Sequence, residues 1–436
     1  MKLLYRYLDN ALEHLLPIGE FRIFSDIGGG FSLSDGVDLS ELDDSLKAGV
    51  IAQAEAWMDE EYPILLAHDF ARYHREGNRA IFEEVYFKRR HLLTAFSLAE
   101  AIEGKGRFLD RIMDGIWLIC EETDWVIPAH VRDTKPGPLP PSFAGDFKYF
   151  DLFSAGTAGV LAMVYLLVRK QLDEITPHIS NRIAFCVKER ILKPFLAYDM
   201  PNWMGIGRPG RGVNNWNPWI LSNVLTCAAV FEEDIVKRRQ IVAYSMICLD
   251  NFISVYHSDG GCDEGPSYWG EAGAALFDAL ELLYDMTGGY VDLFGEELIR
   301  RMGDYEADFH VGGRYFINFA DCPAKISPGG RLITRYGRRT GSQYLENFGR
   351  YMQKNQTYGA SDHANGYRWL KNAFEKTAEA VEFQPKTQCW YDGIGVMKER
   401  EFSEEARGFV LACKGGHNNE SHNHNDVGNF IVYYNG

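Results

Sequence analysis

Positive charge is scarce in this chain of 436 residues: 45 Lys and Arg stand against 61 Asp and Glu, a formal net charge of -16. General nucleic-acid binding needs a basic footprint, so that class is set aside. An anionic substrate is still allowed, because a cleft can be locally basic. Long apolar runs are missing from the N-terminus, M-K-L-L-Y-R-Y-L-D-N-A-L-E-H-L-L-P, where apolar and charged residues alternate at helical spacing. It reads as neither signal peptide nor membrane span. Cysteines at 120, 186, 227, 248, 262, 322, 389 and 413 form no C-x-x-C and no tight framework. The expectation is reduced thiols in a cytoplasmic protein with no membrane and no nucleic-acid partner. No block recurs at a fixed period, which sets a consensus solenoid aside.

What is present is an ordinary globular composition, 46% hydrophobic and 24% charged, on a chain long enough for two domains or one large repetitive one. Helical periodicity dominates residues 1 to about 310. Segments 2–16, 40–59, 86–103, 106–122, 152–170, 176–197, 217–232, 234–256, 266–286 and 294–309 each read as an amphipathic or buried helix. Short breakers such as Gly104-Lys-Gly106, Asp259-Gly-Gly261 and Gly288-Gly289 join them. Neighbours should therefore pair antiparallel and stack as a curved or closed double layer. Two longer stretches, 124–149 with its prolines and 199–216 rich in Gly, Asn and Trp, are too broken for helices. Trp203, Trp216 and Trp219 argue that such loops are ordered.

Near residue 385 the pattern shifts to short β-rich runs, 393–397, 408–412 and 429–434, divided by polar turns. They read as the first strands of an antiparallel sheet. Three strands with an open edge, stopping at the hairpin pair Asn435-Gly436, predict a truncated chain or a divided one. The expected division is a helical domain over 1–384 and the first strands of a β domain over 385–436.

Three clusters could carry chemistry. From His417 to Phe430 the chain reads H-N-N-E-S-H-N-H-N-D-V-G-N-F. On an extended backbone His422 and His424 face one way, with Asp426 on the same side. Such a row suits a divalent metal or proton movement near neutral pH; the alternative is a solvated Asn-rich loop. From Arg208 to Trp219 it reads R-P-G-R-G-V-N-N-W-N-P-W. Amides from Asn214, Asn215 and Asn217, flat faces from Trp216 and Trp219, and fixed charge from Arg208 and Arg211 are what an acidic sugar needs. The alternative is an Asn capping a helix that begins near Pro218, with the tryptophans in the core. From Asp259 to Gly270 it reads D-G-G-C-D-E-G-P-S-Y-W-G, which puts Ser267 and Tyr268 at the opening of a helix. A phenol there lies near the positive end of the dipole, yet a pKa of about 10 means that a base role needs nearby cations. The alternative is a Tyr that only packs under the next helix.

Together, N-N-W-N-P-W, D-G-G-x-D-E-G-P-S-Y-W-G and S-H-N-H-N-D-V-G-N-F, in that order after a helical half, resemble the heparinase II/III-like polysaccharide lyases and their alginate-lyase relatives. The resemblance takes in Asp151-Leu-Phe153 and Phe319-Ala-Asp321 and covers nearly the whole chain. It implies a mainly α fold: an incomplete (α/α) toroid followed by the start of an antiparallel β-sandwich domain, with the active site in the cleft between them. Carried over by position, Asn215 neutralises the carboxylate of a uronic acid, and Tyr268 and His422 are catalytic. His424 is a ligand of a structural divalent metal, zinc by preference, whose remaining ligands would lie past Gly436. Arg208, Arg211, Asn214, Trp216, Trp219 and Glu264 are the expected substrate-binding residues. One position departs, since many members carry His directly after the neutralising Asn, where this chain has Trp216. Either another group assists, such as Arg208 or Arg211, or the substrate differs, or activity is lost.

The implied reaction is β-elimination, in which the C5 proton of a uronic acid is removed and the oxygen at C4 expelled. A neutralised carboxylate lets the developing charge spread into it, and such stabilisation is usually the largest catalytic term. Tyr268 and His422 are the candidate proton carriers, and a metal on His424 would orient His422. The expectation is a lyase acting on acidic oligosaccharides or polysaccharides, glycosaminoglycan-like or alginate-like, exo-acting on imported chains, with a homodimer left open. The rivals are a glycoside hydrolase of the unsaturated-glucuronyl type, using Asp259, Asp263 or Glu264, and a non-catalytic oligosaccharide-binding relative.

Overall fold

A computed structural model describes residues 2–18, 20–25, 30–32, 36–131, 137–206, 213–354, 365–376, 379, 381–405, 407–418, 424 and 427–436. Its helices, in chain order, are α1 (Leu8–His14), α2 (Asp44–Ala56), α3 (Ala67–Glu76), α4 (Ala80–Glu103), α5 (Leu109–Cys120), α6 (Leu152–Ile175), α7 (Pro177–Val187), α8 (Lys193–Ala197), α9 (Pro201–Met204), α10 (Trp216–Phe231), α11 (Ile235–Val255), α12 (Pro266–Trp269), α13 (Gly273–Met286), α14 (Glu297–Asp308), α15 (Gly330–Thr340), α16 (Gln343–Gln353) and α17 (Gly366–Phe374). Two short ladders, β1 (Arg22–Ile23) with β2 (Phe31–Ser32) and β3 (His310–Gly312) with β4 (Tyr315–Phe316), trim the helical body. A four-stranded antiparallel meander follows: β5 (Gln388–Tyr391), β6 (Val396–Arg400), β7 (Phe409–Lys414) and β8 (Phe430–Tyr434).

The helix ends follow local chemistry. Asp151, Thr176, Asp234, Ser342 and Asn365 each cap the helix that follows by accepting a backbone N–H. Helices α4, α6, α10, α13 and α15 lie side by side in that order, and α5, α7, α11, α14 and α16 back them one by one. That is the double layer of an incomplete (α/α) toroid. The apolar α6, 24 residues with a mean hydropathy of 1.7 over its most apolar stretch, is long enough to cross a membrane. Here 78% of that stretch is buried, packed between α4, α7, α10 and α17.

Several elements differ from the sequence expectation. The span 266–286 is broken at Gly270–Ala272 into α12 and α13, and 176–197 passes through a π-helical turn at Lys188–Leu192. That turn precedes Pro194, which has no N–H to continue the ladder. Helices α3, α9, α15, α16 and α17 and strands β1 to β5 were not anticipated, and α9 falls within 199–216, a stretch expected to hold no helix; Pro201 at its start suits a short turn of this kind. In α15 and α17 charges are buried among apolar residues: beside Leu332, Ile333, Tyr336, Trp369 and Leu370, the side chains of Arg335 and Lys371, at most 1% exposed, meet Asp278 and Glu281 of α13. Arg335 and Lys371 on those faces look like solvent residues in the sequence and so obscure which side is buried.

The sheet is latched to the end of α14. Asp308 accepts from Tyr391 Oη at 2.8 Å and from Lys386 Nζ at 3.1 Å, and its backbone carbonyl accepts from the buried Lys398. Arg400 adds a bond to the Val311 carbonyl at 3.0 Å. Asp259 ties the loop before α12 to the sheet by accepting the Gly393 N–H at 2.8 Å.

Candidate active site

Tyr268 stands on α12, a single turn held from both sides. Ser267 Oγ donates to the Asp321 carbonyl at 2.6 Å, and the buried Trp269 donates Nε1–H to the Met302 carbonyl at 2.7 Å. The preceding Gly265 has φ +90°, and a Cβ there would lie 2.6 Å from the Phe319 carbonyl oxygen. Only glycine lets the 319–322 segment cross so close. Ala320 in that segment also sits at positive φ, 56°. Strain of this kind next to Asp321 is typical of a functional position.

The three asparagines of N-N-W-N separate into three roles. Asn217 is fully buried and donates to the Trp203 and Cys248 carbonyls at 2.8 and 2.9 Å, which is structural. Asn214 Oδ1 accepts the Trp216 N–H at 3.2 Å and so serves the start of α10. Asn215 occupies the cap position without capping, and its Nδ2 donates instead to Glu264 Oε2 at 2.6 Å. Burial first, then the charges of Asp263 and Asp321, push the Glu264 carboxyl up to about 8, against the bond from Asn215. Near neutral pH Glu264 is therefore protonated and adds no negative charge beside the amide.

The helix-dipole expectation for Tyr268 is corrected. Burial raises its phenol above the ordinary value, and Asp321, Glu264 and Glu271 raise it further, while Arg79, just ahead of α4, pulls it down. A helix of four residues offers little dipole, and acids outnumber the cation. As folded, Tyr268 is a proton donor.

Asp321 joins the two parts of the molecule. Its carboxylate pairs with His424 Nε2, from the polar turn between β7 and β8, while its carbonyl holds Ser267. His424 was expected to bind a metal. Asp321 and His424 supply two donors, but no group of three His, Cys, Asp or Glu side chains suited to a metal occurs among the described residues. The expectation itself puts the remaining ligands past Gly436. His422, Arg208 and Arg211 lie outside the described residues.

Trp216 and Trp219 are half-buried in an aromatic wall: Trp219 meets Phe153 edge-on at 5.8 Å, and Trp216 leans on His130 at 4.5 Å. The described residues thus bring Asn215, Glu264, Tyr268 and His424 into one cluster around Asp321. Sequence reasoning passed over Arg79 and His130, and it quoted Asp321 only within a motif. None has a local signal, because each acts through residues more than a hundred positions away or in a separate loop.

The hydrolase alternative loses one acid here. Asp259 is spent on backbone bonds, to Gly261 N at 2.9 Å and Gly393 N at 2.8 Å.

No protein-family model matches the chain, and no curated protein matches it. Solved structures do. A crystal structure of heparinase III aligns over 99% of this chain and 62% of its own length, with a TM-score of 0.58 at 12% identity. A heparinase III gene product with methylated lysines aligns over 100% of this chain and 56% of its own, with a TM-score of 0.50 at 13% identity. A Paenibacillus xanthan lyase aligns over 99% and 40%, with a TM-score of 0.50 at 10% identity. This chain thus spans less than two thirds of the length of each. What it shares with them is architecture: a heparinase-like polysaccharide lyase fold, helical toroid first and β-sheet after it.

Proposed function

We propose that this cluster lines a crevice that is the active site of a polysaccharide lyase, which cleaves uronate-containing chains by β-elimination. The observation that carries the reading is the bond between Asn215 and a protonated Glu264, next to the donor Tyr268. That arrangement offers an amide and a neutral carboxyl to an anionic sugar in a pocket where a charged glutamate would repel it. The likeness in fold to proteins named heparinase III and xanthan lyase supports the same class.

In this mechanism Asn215 binds the substrate carboxylate and withdraws charge as C5 loses its proton. Tyr268, protonated at rest, donates to the departing C4 oxygen. The candidate base is His422, which precedes His424 by two residues in the sequence. Protonating the leaving oxygen and deprotonating C5 balance, and the products are a new reducing end and a sugar with a C4–C5 double bond.

Incubation with a panel of uronate polymers and oligosaccharides, followed by ultraviolet absorbance of that double bond, tests the reading. No new absorbance on any member would sink it. Exo action predicts short unsaturated end units as the first products, and long unsaturated fragments at early times would overturn it. One observation favours a second reading: a buried carboxyl at about 8, such as Glu264, is also what a glycosidase acid needs. A hydrolase would release reducing ends without the absorbance, or consume it.

A further inference from the structure

An imidazole outside the three motifs touches the second of them at Trp216. His130 closes a short 3-10 turn, Pro128–His130, within the long loop before α6. Its Nδ1 lies 2.8 Å from Oδ2 of Asp151. That carboxylate is fully buried, accepts the Ser154 N–H and Oγ–H at 2.7 Å each, and accepts the Ile127 N–H at 3.3 Å. The ring lies parallel to Phe153, with an interplanar angle of 1° and centroids 5.4 Å apart, and leans on the Trp216 indole at 4.5 Å. An anchored nitrogen and two aromatic contacts leave the imidazole one orientation. Its side chain keeps 13% exposure, and no hydrogen bond to Nε2 is made by the described residues.

The position is what gives this ring a task. Trp216 directly follows Asn215. The turn carrying His130 packs on α3, and Arg79, between α3 and α4, is the cation felt by Tyr268. His130 therefore touches the residue next to Asn215, and its turn sits on the helix whose far end leads into Arg79.

We propose that His130, oriented by Asp151 and braced on Trp216, binds the substrate carboxylate alongside Asn215. This rests on the reading of the crevice as an acidic-sugar site. With Nδ1–H donated to Asp151, Nε2 donates only when the ring is an imidazolium, so the hydrogen bond comes with a positive charge. Charge-assisted bonds are roughly twice as strong as neutral ones, which makes His130 the natural complement to an amide.

The test titrates a glucuronate-containing tetrasaccharide, and the same tetrasaccharide with its carboxylates reduced to alcohols, into the wild type, His130→Gln and Asp151→Asn. Glutamine keeps size and a neutral donor, and asparagine can still cap α6, so both variants should fold. His130→Gln should weaken uronate binding about 10- to 100-fold and leave the reduced sugar within about twofold. Asp151→Asn should shift the uronate in the same direction, and KM should rise more than kcat falls. Equal losses for both sugars would reduce His130 to a packing residue and overturn the proposal. So would unchanged uronate affinity with a lower kcat, the behaviour of a proton carrier. Wild-type protein that prefers the uronate form without turning it over would end the lyase reading and leave this assignment standing. A wild type that turns over uronate, with His130→Gln indistinguishable from it, would remove the assignment alone. A wild type with no preference between the sugars would remove both.

Discussion

Glu264 shows how one side chain ties the site to the stability of the fold. Its carboxyl keeps a proton in the folded state up to about pH 8, whereas in the unfolded chain it gives the proton up from its ordinary 4.5. The folded state therefore binds more protons through that window, and stability from this group falls as pH rises from about 4.5 to about 8, then levels off. Glu264→Gln should flatten that slope in urea melts taken between about pH 5 and 8. In the wild type KM should climb as pH passes about 8, because the ionised carboxylate repels an anionic sugar; a flat KM would contradict the neutral assignment. Tyr268→Phe should cost about 10²–10⁴-fold in kcat, the usual range for a lost general acid, with the circular dichroism unchanged. The fold should survive because Ser267 and Trp269, not the phenol, hold α12 in place. At this scale the sequence was legible in part. N-N-W-N displayed its chemistry, but nothing local says that Asn214 serves its own turn, Asn217 the core and Asn215 the crevice. That sorting is done by Glu264, Trp203 and Cys248, which are remote in sequence or belong to other elements.

Among the elements, the sheet presents two unlike faces. Tyr391, Val396, Lys398, Val410 and Ala412 turn inward and are buried. Trp390, Phe409, Leu411, Phe430, Val432 and Tyr434 turn outward and are exposed. The register pairs Phe409 with Tyr434, Leu411 with Val432 and Cys413 with Phe430, so the exposed apolar side chains are contiguous neighbours. Patches of this kind gather partners. The 436-residue chain should bind a hydrophobic dye and self-associate in sedimentation, and Val432→Lys with Phe430→Lys should abolish both with little change in melting temperature. The inner face depends on Asp308. Replacing it with Ala leaves the buried Tyr391 hydroxyl without its charged acceptor, and should cost about 2 kcal/mol in urea unfolding. Strands β6, β7 and β8 were legible from β-rich runs between polar turns, and β5 was not, because its four residues carry no alternation strong enough to separate them from the loop. Helices α15 and α17 were hidden for a different reason. Among the apolar residues of their buried faces stand Arg335 and Lys371, neutralised by Asp278 and Glu281, an arrangement visible only once α13 is beside them.

Over the whole molecule, the toroid and the sheet meet at Asp308, at Asp259 and at the Asp321–His424 pair. The general architecture could be read from the succession of helical periods and the change of character near residue 385. The contact that matters most could not, since Asp321 and His424 are 103 positions apart. Asp321 grips the phenol-bearing turn through its carbonyl and the sheet-side histidine through its carboxylate. Asp321→Asn should therefore raise the ratio of turnover on long chains to turnover on tetrasaccharides; an unchanged ratio would show that the pair does not restrict entry. If it does, the pair works as a size filter that favours a free chain end over the middle of a long polymer.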